Sequence, residues 1–285
     1  MDIEGRRQSS NIEDRRVMRP VRTGVGLSIG GVLFLVVLSL LGINPLPFLG
    51  VATKAPEVEM QPTNQPVQEN ADEAEKHKRT AVVLAETETT WNKIFQQSGM
   101  KYAEPTLVLF SGAVNSTCGL AEAAMGPFYC PLDQKVYVDM SFYGDLERRF
   151  GAPGDFAQGY VIAHEVGHHV QNLLGTAKKV HDLQQRNPRV ANELSVRMEL
   201  QADCYAGVWA KDADQSRQFL NPGDLEEGLR AATAIGDDRL QRQAQGRVVP
   251  DSFTHGTSEQ RSRWFRRGFD SGSPNNCDTF GANPL

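Results

Sequence analysis

The stretch VIAHEVGHHV, residues 161–170, places His164 and His168 four positions apart with Glu165 beside the first. On an α-helix residues four apart share a face, so both imidazoles can reach one cation, with a carboxylate at the same end of the site. Such an arrangement suits a zinc ion that activates water for hydrolysis. The alternative is a buried helix that happens to carry histidines. Val161, Ile162, Val166 and Val170 surround the motif, so it is expected to be buried. Two imidazoles and a carboxylate are costly to bury unless something binds them.

Catalytic zinc takes three protein ligands and keeps a fourth position open. A third ligand is expected downstream, in NPRVANELSVRMELQADCYAGVWAKD (residues 187–212), where Glu199 and Asp203 are four apart. Most helical carboxylates are surface charges, but Leu200, Ala202, Cys204, Ala206 and Val208 leave little of this segment polar. Glu199 is assigned as third ligand, and Asp203 as the acceptor that fixes the outer ring proton of a ligating histidine. Rivals for the third position are His169, turned about 100° away by the helix repeat, and His181, Glu193 and His255. In this scheme Glu165 is the general base. His255, in THGTSEQR, is the candidate donor to the oxyanion, although a histidine there also suits a turn. Tyr160, Tyr205 and Arg261 are either near the cleft or part of the core.

The elements that must hold these residues can be outlined. Asp155 is placed to cap a helix through Leu174, closed by Gly175 in the left-handed conformation. Asn187 and Pro188 should start the second helix, and small residues at 202, 206, 207 and 210 would let the two approach closely. Thr257 and Gln260 read as a capping box. Upstream, a helix is expected over residues 80–99, a strand over 105–110 and a hairpin over 126–140. Val136–Asp139 is expected as an edge strand beside which an extended peptide could lie. The fold class is therefore α+β, mostly helical with a small sheet.

The chain has 285 residues and a formal charge of −5, which argues against a nucleic-acid partner. Residues 1–22 hold six arginines against four acidic residues, a net of +2. They read as a basic cytoplasmic tail. Residues 23–43 are uncharged and mainly apolar, long enough for one membrane-spanning helix. Gly26 and Gly30 have the small-xxx-small spacing of a helix pair, weak evidence for a homodimer. Residues 44–72, rich in proline, glutamine and acid, read as a flexible linker, and 73–285 as one domain on the periplasmic or extracellular side. Four cysteines suit that oxidising side. Three pairings are open, and the expected one joins Cys118 to Cys130 and Cys204 to Cys277.

HEVGHH followed by ELQADCYAGVWA resembles the bacterial putative neutral zinc metallopeptidase family, and so do RRQSSNIEDRR, TCG, GPFYCPLDQKVYVDMSF and THGTSEQRSRWFRRGF. The resemblance implies a zincin-like domain with a thermolysin-like centre, in which the E-x-x-x-D pattern maps onto Glu199 and Asp203. It implies one zinc ion per chain and a peptide or protein substrate. A silent zinc-stabilised adaptor and a peptidase kept latent by its tether are the other readings.

Overall fold

The computed structural model describes residues 1–23, 57–62 and 69–285. Strands β1 (Ile12–Asp14), β4 (Thr106–Phe110), β7 (Phe128–Cys130) and β8 (Lys135–Asp139) form one sheet in the order β1-β4-β8-β7. β4 runs parallel to both β1 and β8, and β7 is antiparallel to β8. Two antiparallel pairs stand apart: β2 (Met18–Thr23) with β3 (Glu57–Pro62), and β5 (Ala113–Ser116) with β6 (Gly119–Glu122).

The helices are α1 (Ala71–Gln97), α2 (Ser141–Arg148), α3 (Asp155–Leu173), α4 (Thr176–Arg186), α5 (Ala191–Arg217), α6 (Asp224–Ala234), α7 (Asp237–Gln245) and α8 (Ser258–Ser271). α1 starts on a capping box, with Asn70 accepting from the Glu73 N–H and Glu73 returning the bond. It buries Val82, Val83, Leu84 and Trp91 against α3 and α5, whose Ile162, Val166, Leu200 and Trp209 complete the core. α3 carries the HEVGH motif as expected, and Gly175 follows it in the left-handed conformation (φ 76°).

Several expectations are corrected. Asp155 does not cap α3: it is the first helical residue, and the Phe156 N–H is accepted instead by Glu227. Asn187 precedes a short 3₁₀ turn, and α5 proper begins at Ala191. Of the expected edge Val136–Asp139, Val136 and Tyr137 are covered on both sides, by β4 and β7; Val138 and Asp139 lie beyond the β7 pairing, and β7 is the outer strand of the sheet at this end.

Residues 1–22 are not a separate tail. β1 extends the domain's own sheet, Met1 and Ile3 enter the core, and the Met1 ammonium sits 2.9 Å from both Asp155 and Asp224. Four of the six arginines that suggested a cytoplasmic segment are paired within the domain. Arg6 pairs with Asp2 and Glu86, Arg7 with Glu88, Arg15 with Glu13, and Arg16 with Asp14 and Glu69. Residues 73–285 are thus not self-contained, because the start of the chain packs within the same domain. The expected linker, 44–72, includes β3 and the start of α1. The expected span at 23–43, with Gly26 and Gly30, lies outside the described residues beyond Thr23. Among the described residues no helix is long and apolar enough to cross a membrane.

The disulfides join Cys118 to Cys130, tying the β5–β6 turn to β7, and Cys204 to Cys277, tying α5 to the segment after α8. Close approach of the site helices depends on small residues. An added Cβ at Gly268 of α8 would collide with the Cys204 carbonyl, one at Gly207 of α5 with the Phe265 carbonyl, and one at Gly167 of α3 would meet the Ala202 backbone at 3.0 Å.

Two outcomes are expected. Gly268→Ala should cost about 3 kcal/mol in urea unfolding, because the methyl meets main chain that cannot swing aside; an unchanged midpoint would refute this packing. Single-cysteine variants at the exposed positions Glu4 and Asn275 should react alike with a membrane-impermeant maleimide on intact cells; labelling of one alone would separate the two ends.

Candidate metal centre

α3 and α5 cross where Gly167 faces Ala202, which brings one turn of each into register. His164 Nε2 then lies 3.2 Å from Glu199 Oε2, and His168 Nε2 lies 3.4 Å from Glu199 Oε1. Together the three offer ligand atoms that all lie within 4.8 Å of one another. Zinc bonds of about 2.0–2.1 Å in tetrahedral array give ligand edges of about 3.3 Å, so these separations already match. Glu165, though buried, is outside this set and borders the same cleft.

Behind the ligands, His164 Nδ1 meets Asp203 Oδ1 at 2.8 Å. Asp203 is wholly buried. Arg261 of α8 grips it with two bonds, Nε to Oδ2 and Nη2 to Oδ1, both 2.9 Å. The Tyr160 hydroxyl donates to Oδ1 at 2.5 Å and receives Arg261 Nη2 at 3.3 Å. Asp203 thus lies where an acceptor behind His164 was expected, and Tyr160 and Arg261 both contact it and border the cleft. Tyr205 does not; it packs edge-on against Trp91.

The rivals for third ligand fall away. His169 is turned from the cleft, its Nε2 donating to the Ala103 carbonyl at 2.6 Å and its Nδ1 accepting from the Tyr129 hydroxyl at 2.9 Å. Burial lowers its pKa, in keeping with a neutral ring. His181 is exposed on α4, and Glu193 pairs with Arg197 at 2.9 Å. His255 borders the cleft but is not among the clustered ligands. Asp237 holds its loop through the Thr254, His255 and Gly256 N–H groups and lies 3.2 Å from the ring. The Thr257–Gln260 box then opens α8. The cysteines serve as disulfides, not ligands.

Electrostatics supply a test of whether a dication fits. Glu165, Glu199 and Asp203 are three buried or half-buried carboxylates facing one guanidinium, Arg261. Neutral imidazoles would leave two uncompensated negative charges, which a dication cancels and which are otherwise costly at this depth. Without a metal, protons fill the gap. Burial opposes charge on His164, yet Asp203 and Glu199 outweigh it and lift its pKa to about 10. His168 is likewise raised against burial by Glu199. Glu199 is held well below the usual carboxylate range, the two histidines overcoming burial, while burial raises Glu165.

The cleft over this centre has a volume of about 630 Å³. Phe128 and Tyr129 of β7 line one side, with Phe142, Phe150, Ile235 and Leu240 among the apolar walls.

The sequence reading missed Gln171 and Gln201. Gln171 Oε1 lies 2.9 Å from His168 Nδ1, and Gln201 joins Gln171 to the Cys277 carbonyl. Position 171 follows His168 by three residues, which was the available signal.

A buried histidine, a half-buried histidine and a glutamate on crossed helices, each histidine held from behind, form a His-His-Glu cluster able to hold one metal ion. The chain belongs to the family described as putative neutral zinc metallopeptidase, which it matches over residues 1–280. It is 53% identical to YpfJ of Escherichia coli K12 over 99% of both chains, and 47% identical over 65% of both to Mb2605 of Mycobacterium bovis; both relatives are described as uncharacterized. No solved structure matches.

Binding of a dication must displace the proton that His164 holds. The sign follows: since its pKa lies above the ordinary 6.5, the proton stabilises the metal-free fold fully below 6.5, and this contribution is lost as pH rises toward 10. Zinc affinity, read by chelator competition between about pH 6 and 8, should therefore weaken at least about tenfold per unit of acidification, with proton release in calorimetry. A flat profile would refute the charge balance.

Proposed function

We propose that this protein is a zinc-dependent endopeptidase. The observation that supports it is the convergence of His164, His168 and Glu199 while Glu165, one residue from a ligand, stays free of the ligand set. A purely structural zinc site usually closes with four protein ligands, whereas three with a cleft above them suits catalysis. When bound, zinc would polarise the scissile carbonyl and acidify water.

The chain's own residues supply the remainder. Glu165 takes the proton of the attacking water and returns it to the departing amine; its burial-raised pKa brings its basicity closer to the working range. His255, at the cleft wall, donates to the oxygen on which negative charge develops. β7, the sheet edge beside α3, offers main-chain groups to an extended peptide, and the apolar walls favour large hydrophobic side chains. Two disulfides support an oxidising compartment for the domain, and the apolar sequence 23–43 supports attachment to a bilayer.

The decisive comparison is zinc content and cleavage of unfolded casein by the purified full-length chain and two variants. Glu165→Gln should keep its zinc and lose about 10²- to 10⁴-fold in kcat/KM, whereas His164→Ala should lose both. Wild-type turnover by Glu165→Gln would end the reading, and zinc without hydrolysis in the wild type would favour the adaptor.

A further inference from the structure

The two histidines are held from behind in different ways. His164 meets an anion, Asp203, but His168 meets the neutral amide of Gln171, itself wholly buried. An amide presents a donor end and an acceptor end, and only its surroundings decide which end faces the ring.

Here two main-chain carbonyls decide, because a carbonyl can only accept. Gln201 Nε2 donates to the Cys277 carbonyl at 3.0 Å, so its Oε1 must face Gln171. Gln171 Nε2 then donates both to that Oε1, at 3.1 Å, and to the Met198 carbonyl, at 2.7 Å. Both of its amide protons are thereby used. Only Gln171 Oε1 remains for His168 Nδ1, 2.9 Å away, so the neutral ring must carry its proton there. Its Nε2 lone pair is left toward Glu199.

We propose that Gln171 and Gln201 form an amide relay, anchored on the Met198 and Cys277 carbonyls, that fixes the Nδ1–H tautomer of His168 and holds its Nε2 ready for the metal. Both are positioning residues; neither is among the three clustered ligands. The relay rests on the zinc reading above but adds a directional device, and one that ends at a cysteine bonded to Cys204, the neighbour of Asp203. Both histidines are thus steadied from adjacent places on α5, one through a carboxylate and the other through two amides.

The test uses the full-length chain and zinc as the probe, with affinity read by chelator competition. Gln171→Leu removes the acceptor and should weaken zinc about 10- to 100-fold. Gln201→Leu leaves that acceptor, still oriented by the Met198 carbonyl, but removes one of the two bonds that hold the Gln171 amide, and should weaken zinc less. The double variant should bind no worse than Gln171→Leu alone, because the second residue acts only through the first; two independent packing defects would instead add. Additive losses, or zinc binding by Gln171→Leu within about twofold of wild type, would overturn the relay while leaving the zinc site intact. Absence of zinc binding in the wild type would overturn both readings. Should a variant fail to fold, ¹⁵N-histidine spectra of the zinc-loaded wild type still decide: the proton is expected on Nδ1 of His168 and the metal on Nε2, and the reverse assignment overturns the proposal.

Discussion

The ion pair between Asp203 and Arg261 is the constraint on which the centre depends. A carboxylate with no solvent exposure stays ionised because a guanidinium grips both its oxygens; burial works against the charge, and Arg261, then His164, prevail. The geometry is bidentate, which adds direction to attraction. Because Asp203 sits on α5 and Arg261 on α8, the pair also sets how these helices meet, and glycines at 207 and 268 let the backbones come that close. Tyr160 on α3 completes the junction by donating to the same carboxylate. Three helices are therefore fixed around one buried negative charge, and the His164 ring is aimed as a result.

That junction explains why the ligands can be arranged before any cation arrives. Glu199 lies one turn from Asp203 on the same helix, so what fixes Asp203 also fixes Glu199. The remaining charge imbalance is met by protons on the imidazoles in the metal-free state. Proton and metal are thus alternative solutions to one electrostatic problem, solved at the same nitrogen atoms.

Much of the centre was legible in the sequence because its signals are local. The i, i+4 spacings of His164 with His168 and of Glu199 with Asp203 state which side chains share a helix face, and the apolar neighbours state that those faces are covered. Gln171 and Gln201 were not legible, since a neutral amide carries no charge to mark it and its partners are set by tertiary contact. Strand order was also hidden. The alternation in KVYVD identifies a strand but says nothing about its neighbours, and Val136 to Asp139 are buried on both faces rather than one. β1, three residues long, offers no periodicity at all. The pairing of residues 1–22 was hidden for a related reason: a count of charge does not show that Arg6, Arg7, Arg15 and Arg16 each have an acidic partner nearby.

The Cys204–Cys277 disulfide spans 73 positions of chain, and Arg261 likewise follows the HEVGH helix by a long interval. During synthesis, the helices bearing the ligands emerge well before the residues that steady them. A polypeptide leaving the ribosome cannot form the junction that aims His164 until the segment carrying Arg261 has been made.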